Sequence, residues 1–277
     1  MYSINCKGKL VDLSSPKVMG ILNITPDSFF DGGKYASERG IINHVEKMIF
    51  EGATFIDIGA YSSRPGAKPI SEKEELNRIL PVVKTLVKTF PEIIISIDTF
   101  RSSIAKQCVL HGASIINDIS AGTLDKNMFK TIAELQVPYI IMHMQGNPEN
   151  MQTDPNYNNI VQDLLFYFSD KIAQLRKLGV NDIITDVGFG FGKTVAHNYQ
   201  LLHHLNMFQN LNVPTLVGIS RKSMLYKPLQ INPETALNAT SSANTIALLH
   251  GANILRVHDV KEAIECIKIV DLLKNNS

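Results

Sequence analysis

Charge of one sign, long apolar runs and paired cysteines are what this chain lacks. Its 27 Lys and Arg against 26 Asp and Glu leave a formal net charge of +1 over 277 residues. That balance supplies neither the basic face that tracks a nucleic-acid backbone nor a polybasic membrane patch. No apolar run approaches the roughly 20 residues of a membrane span. The opening MYSINCKGKLVDL lacks the basic-then-apolar layout of a secretory leader. The three cysteines, Cys6, Cys108 and Cys266, are odd in number and far apart. They suit packed thiols in a reducing, cytoplasmic compartment and offer no zinc site. No linker or low-complexity stretch divides the chain, so one domain over 1–277 is expected.

What is present is a 44% hydrophobic chain with a regular beat. Eight β-branched or apolar runs recur: VMGILN (18–23), TFIDIG (54–59), IIISID (93–98), SIIND (114–118), PYIIMHM (138–144), DIITDVG (182–188), PTLVGIS (214–220) and NILRVHD (253–259). None alternates cleanly with polar residues, as expected of strands buried on both faces. Helical patterns lie between them, at 75–90 (with Pro81 inside), 159–179 (ending on Gly179), 234–252 and 260–273. Strand and helix alternating through eight cycles predict an α/β fold with a parallel sheet. In this length the closed TIM (β/α)8 barrel is favoured, since such barrels need about 250 residues.

A parallel barrel draws its active-site groups from the carboxyl ends of its strands. Here nearly every expected strand ends on a polar residue: Asn23, Asp57, Asp98, Asn117, His143, Asp186, Ser220 with Lys222, and Arg256 with His258. A single Asp or Asn there is as readily a helix cap. Cationic side chains cannot accept the amide protons of a helix start, so a whole ring fits capping poorly. Asp98, Asn117 and Asp186 suit a flat, nitrogen-rich ring with donors along one edge. Arg256 and His258, with the loop residues Asn23 and Arg64, suit a phosphate-like anion. Arg256 and His258 stand two apart along a strand and therefore point the same way.

Two tempting motifs fail. GFGFGKT (188–194) would be a phosphate-binding P-loop only with glycine where Val187 stands, and Lys193 occupies the last glycine of a GxGxxG pattern. His197, His203 and His204 lack convergent partners for a metal, and His203 and His204 are expected on different helix faces.

ILNITPDSFFDGG (21–33), FIDIGAYSSRPGA (55–67), ISIDTFR (95–101), IINDISAG (115–122), MHMQGNP (142–148), DVGFGFGK (186–193), GISRKS (218–223) and RVHDV (256–260) resemble, in order, the blocks of the dihydropteroate synthase family. The resemblance spans residues 18 to 260. It implies a transferase of folate biosynthesis, a sulfonamide target, that joins 6-hydroxymethyl-7,8-dihydropterin pyrophosphate to 4-aminobenzoate by an SN1-like route. It implies that Asn23 coordinates Mg2+ on the pyrophosphate. Asp98, Asn117 and Asp186, with Met142, are implied to hold the pterin. Lys222 is implied to bridge the pterin and the aminobenzoate, and Arg256 to stack on the pterin and bind the anion with His258. Ser63 keeps the hydroxyl of the more usual threonine. Phe29, Pro65 and Phe191 are implied to wall the aminobenzoate, and Ser220 to line the same site. Asp98, Lys222, Arg256 and His258 are the expected catalytic set, and the family's homodimer is expected. The Gly-, Pro- and Ser-rich stretches 24–35 and 60–69 are expected to order only around bound pyrophosphate, so aminobenzoate or a sulfonamide should bind after it. Tyr61, where glutamate is usual, and Val187, where proline is usual, depart from the pattern without removing an expected ligand. A pterin-binding methyltransferase domain would share the Asp and Asn set without an anion site. A non-catalytic paralogue would be expected to lose anion or metal residues.

Overall fold

A computed structural model of the chain describes residues 2–24, 33–61, 70–146, 151 and 154–276, apart from the side chains of 33–37. Eight strands close into a parallel barrel: β3 (Lys17–Asn23), β4 (Phe55–Gly59), β5 (Ile94–Asp98), β6 (Ile115–Asp118), β7 (Tyr139–Met142), β8 (Ile183–Asp186), β9 (Thr215–Val217) and β10 (Ile254–Val257), with β10 pairing back onto β3. Each lies inside one of the eight apolar runs, except that β3 begins one residue earlier. Helices follow the strands and pack their apolar faces on the barrel's outside.

The strand period of two sorts the side chains. Outward residues such as Val18, Leu22, Ile56, Ile58, Ile95, Ile97 and Leu255 meet the helices in the main core. Inward, one apolar layer crosses the barrel floor: Met19, Phe55, Ile94, Ile115, Ile140, Ile184, Leu216 and Ile254. Burying a side chain of this size contributes roughly 1.5–3 kcal/mol, so this layer is a main tie among the strands.

The floor is closed from below by a hairpin that the sequence reading did not anticipate. Strands β1 (Ser3–Cys6) and β2 (Lys9–Asp12) pair antiparallel. They turn at Lys7 and Gly8, both with positive φ, at 54° and 92°. Two consecutive positive φ values define the tight turn whose twist matches a hairpin. Ile4, Cys6, Val11 and Leu13 then pack against the floor layer.

Among the helices, Glu72–Thr89 runs as one element through Pro81, whose ring sits on the solvent face, and Ser71 caps its start. Ile160–Lys177 ends just before Gly179, which takes φ of 81°. Helices Gly33–Phe50, Ser102–Leu110, Met128–Leu135 and Val195–His203 complete the cycles that the sequence left without named helices.

Candidate active site

The same alternation that makes the floor apolar makes the mouth polar. Two residues beyond each floor residue stand Ile21, Asp57, Ser96, Asn117, Met142, Asp186, Gly218 and Arg256. Two further on are Asn23, Gly59, Asp98 and His258. The mouth is therefore a second and third inward layer, built by the backbone pleat itself.

Across this mouth Arg256 holds two carboxylates. Its Nε donates to Asp57 Oδ2 at 2.6 Å and its Nη2 to Asp98 Oδ2 at 2.9 Å. Asn117 Nδ2 donates to the same Asp57 oxygen at 3.1 Å. Burial pushes Asp98 up to about 7 against the pull of Arg256. Burial disfavours the Arg256 charge, but Asp57 and Asp98 outweigh it and hold the guanidinium above its ordinary pKa. Asp57 is wholly buried, and its Oδ1 has no hydrogen-bond partner among the described residues. Sequence reasoning placed Asp57 at a strand end and gave it no role. The signal was there, because Asp57 lies two residues beyond Phe55 and so must point inward. For Arg256, expected to stack on a ring and meet an anion, the structure adds this carboxylate pairing.

A second group forms opposite. Asp186 accepts the Gly188 amide at 2.8 Å. Lys222 donates to Phe189 O at 2.6 Å, and its ammonium lies 4.7 Å from the centre of the Phe191 ring. Gly218 marks where these groups converge. A Cβ built there would stand 3.9 Å from each of Asp186 Oδ2, Lys222 Nζ and Arg256 Cβ. Burial raises Asp186 above its ordinary value despite the Lys222 ammonium. Burial lowers Lys222 to about 8, with Asp186 opposing.

The remaining expected residues surround these two groups. Ser220 Oγ lies 3.0 Å from His258 Nδ1 and accepts the His258 amide at 3.2 Å, which fixes the exposed His258 ring at the rim. Asn23 Oδ1 and Asp98 Oδ2 approach a Cβ placed on Gly59 to 3.8 and 3.7 Å. The absent side chain of Gly59 thus leaves room between two hard oxygen donors. Met142 is buried at the end of β7, across from Asp186 in register. Phe29, Ser63, Arg64 and Pro65 lie outside the described residues, as do most of the two stretches expected to order around pyrophosphate.

The glycine segment 188–192 is not a phosphate loop. A Cβ on Gly188 would meet His143 O at 2.1 Å, and Gly188 takes φ of 69°. Gly188 and Gly192 serve close backbone approach to the chain leaving β7, while a Cβ on Gly190 would meet only the Lys222 side chain. Lys193, read as a failed motif residue, is buried, and its ammonium faces three acceptors on His143 and Phe191. Burial lowers Lys193 to about 7, with Asp186 opposing. The expectation for His203 and His204 needs correcting. Their ring centroids are 4.5 Å apart, because His204 is the cap residue, where the chain leaves helical geometry. No group of three or more His, Cys, Asp or Glu suited to a metal occurs among the described residues.

Fold and site together define the class: a (β/α)8-barrel enzyme with a buried, charge-paired polar layer at the carboxyl mouth. The family model described as pterin binding enzyme matches residues 19–258. The dihydropteroate synthase of Escherichia coli strain K12 is 43% identical over 96% of this chain and 94% of its own. A crystal structure of the Yersinia pestis dihydropteroate synthase with a sulfonamide drug superposes with a TM-score of 0.92, at 40% identity and full coverage of both chains. The Xanthomonas albilineans dihydropteroate synthase with 4-aminobenzoic acid gives 0.91, at 34% identity and 98% coverage of each. The chain belongs to the dihydropteroate synthase family.

Proposed function

We propose that the chain condenses 6-hydroxymethyl-7,8-dihydropterin pyrophosphate with 4-aminobenzoate, giving 7,8-dihydropteroate and pyrophosphate. The observation that carries this reading is the convergence of Asp186 and Lys222 beside Gly218, with Asn117 and Asp98 across the same mouth. The acceptors suit the donor edge of a pterin, and a buried carboxylate is a demanding partner that a water-filled groove would not need. The relatives solved with 4-aminobenzoic acid and with a sulfonamide drug support the second substrate.

The bond from the pterin methylene to the pyrophosphate oxygen breaks, and its electron pair leaves with the pyrophosphate. The methylene carbon, attached to an electron-rich ring, carries a delocalised cation. The arylamine nitrogen then bonds to that carbon and gives up one proton, to solvent or to the departing group. Asp98 and Asp186 lower the energy of the cation through fixed negative charge in a site of low dielectric. With both carboxylates ionised, the Asp57–Arg256–Asp98 group carries one net negative charge. It therefore favours the cation, while His258 at the rim faces the leaving anion. Lys222, held by Phe189 O and the Phe191 ring, reaches from the pterin side toward the arylamine.

The donor set at Asn23 fits Mg2+. Asn23 Oδ1, with Asp98 Oδ2 beside the space over Gly59, is a hard oxygen, and phosphate-bound Mg2+ takes few protein ligands beside water and phosphate. Mg2+ would neutralise charge on the pyrophosphate oxygens. We infer also that the chain works in the cytoplasm as a homodimer. Its three cysteines are buried and unpaired. No described helix is long and apolar enough to cross a membrane. Ile246 and Leu249, on the helix Leu237–Leu249, and Ile269, Leu272 and Leu273, on the neighbouring helix Val260–Asn275, are exposed apolar residues that a second copy would cover. Sedimentation equilibrium should give twice the chain mass.

Purified protein mixed with both substrates and Mg2+ should form pyrophosphate and dihydropteroate in equal amounts, and a chelator should abolish turnover. Pterin binding without product would favour a non-catalytic paralogue. Methyl transfer from a pterin donor would favour the methyltransferase reading.

A further inference from the structure

Lys193 closes the GFGFGK segment and takes no part in the reaction as derived above. It is 4% exposed, rare for a lysine. Its ammonium meets Phe191 O at 2.9 Å, His143 O at 3.1 Å and His143 Nδ1 at 3.1 Å. An ammonium has three protons and no lone pair, so three acceptors satisfy it completely. His143 follows β7, and Phe191 lies in the loop after β8. The lysine thereby ties together the exits of two neighbouring strands.

Both partners are held in other ways too. The His143 ring packs edge-on against Tyr167, at 4.8 Å between centroids. The Phe191 amide closes a turn onto Gly188 O at 3.1 Å. A Cβ on Gly192 would stand 2.8 Å from Gln145 O, so the loop needs glycine there to lie against the chain after β7. Beyond the tether is the chemistry: the Phe191 ring faces the Lys222 ammonium, and the Phe189 carbonyl accepts its proton.

We propose that Lys193 is a positioning residue for the arylamine. By fixing the Phe191 carbonyl to the end of β7 it sets the Phe191 ring, while Lys222 keeps its own hold on the Phe189 carbonyl. The inference rests on the synthase reading above, in which Phe191 walls the aminobenzoate. A lysine that only stabilised the barrel would affect both substrates alike. A lysine that orients Phe191 acts on the arylamine first, because the pterin's acceptors Asp98, Asn117 and Asp186 come from strands and not from this loop.

Lys193→Met keeps the length and apolar stem and removes all three protons. The KM for 4-aminobenzoate should rise about tenfold or more, the scale of losing hydrogen bonds from a charged group. The Kd of 6-hydroxymethyl-7,8-dihydropterin, measured by calorimetry, should stay within about twofold. Lys193→Cys should show the same defect, and alkylation with 2-bromoethylamine, which rebuilds a lysine-like ammonium, should return the KM toward wild type. Position 193 is as buried as the native thiols, so the alkylation is carried out on the unfolded chain before refolding, with Cys6, Cys108 and Cys266 replaced by alanine. An unchanged KM in Lys193→Met, or a KM and a pterin Kd that rise together, overturns the proposal. If Lys193→Met does not fold, the alkylated Lys193→Cys protein decides, since recovered fold without recovered KM overturns it equally. Wild-type protein that makes no dihydropteroate removes the synthase reading. Wild-type turnover beside an unaffected Lys193→Met removes the positioning role alone.

Discussion

Arg256→Leu is expected to destabilise the fold by about 3–5 kcal/mol, the cost of leaving a buried ion pair with one partner, and to abolish turnover. Leucine fills much of the arginine stem's volume, so the loss would come from charge and not from a cavity. Asp57 would keep only Asn117 Nδ2 as a donor to its paired oxygen, and its other oxygen already lacks a partner among the described residues. Asp98 would lose the cation that now holds it down against burial. The sign of the pH dependence follows. A carboxyl whose folded pKa lies above its unfolded value binds its proton more tightly when folded. Its contribution is fully present below the unfolded value and is lost as pH rises through the folded one. For wild-type Asp98 that loss runs from the ordinary aspartate range up to about 7. In Arg256→Leu the upper end moves higher, so the deficit should be larger at alkaline than at mildly acidic pH. Urea unfolding at both ends measures this, and adding Asp57→Asn should recover part of it. A deficit independent of pH would mean that the carboxylates are not what Arg256 holds.

Lys222→Met is expected to lower kcat/KM by roughly 10²–10³, the range for removing one preorganised donor from a transition state. The pH profile separates this role from general damage. In the wild type, Asp98 near 7 and Lys222 near 8 bracket a narrow range in which the first is ionised and the second still protonated. Wild-type kcat/KM should therefore fall on both sides of that range, since this parameter reports groups of the free enzyme. The acid limb is assigned to Asp98, whose carboxyl burial raises and Arg256 holds back. Lys222→Met should lose the alkaline limb and keep the acid one. An alkaline limb that persists in the variant assigns it to another group.

The barrel was legible because its strands are buried on both faces and so read as apolar runs, each ending in a polar residue that the pleat must turn into the mouth. Asp98, Asn117, Asp186 and Arg256 follow from that alone. What joins them did not follow. Arg256 meets Asp57 and Asp98 across sequence separations of 199 and 158 residues, and only barrel closure brings them together. Lys193 fits no phosphate-loop spacing, and its contacts are not legible in the sequence because its acceptors are largely main-chain atoms whose positions no residue identity announces. The hairpin at 3–12 was missed because each strand has four residues and one wet face. Even so, the alternation of Ile4, Cys6, Val11 and Leu13 around Lys7-Gly8 was a readable signal.

The central claim is that this mouth holds a pterin by its strand-end acceptors, and Asp186→Asn tests it most directly. The substitution keeps the side chain's shape while removing its charge and exchanging an acceptor for a donor, at a residue that is 4% exposed and fixed by the Gly188 amide. Calorimetry with 6-hydroxymethyl-7,8-dihydropterin should show binding weakened by about 1.5–3 kcal/mol, the value of a hydrogen bond to a charged group, with urea unfolding little changed. Unchanged affinity in a folded Asp186→Asn protein would contradict the account.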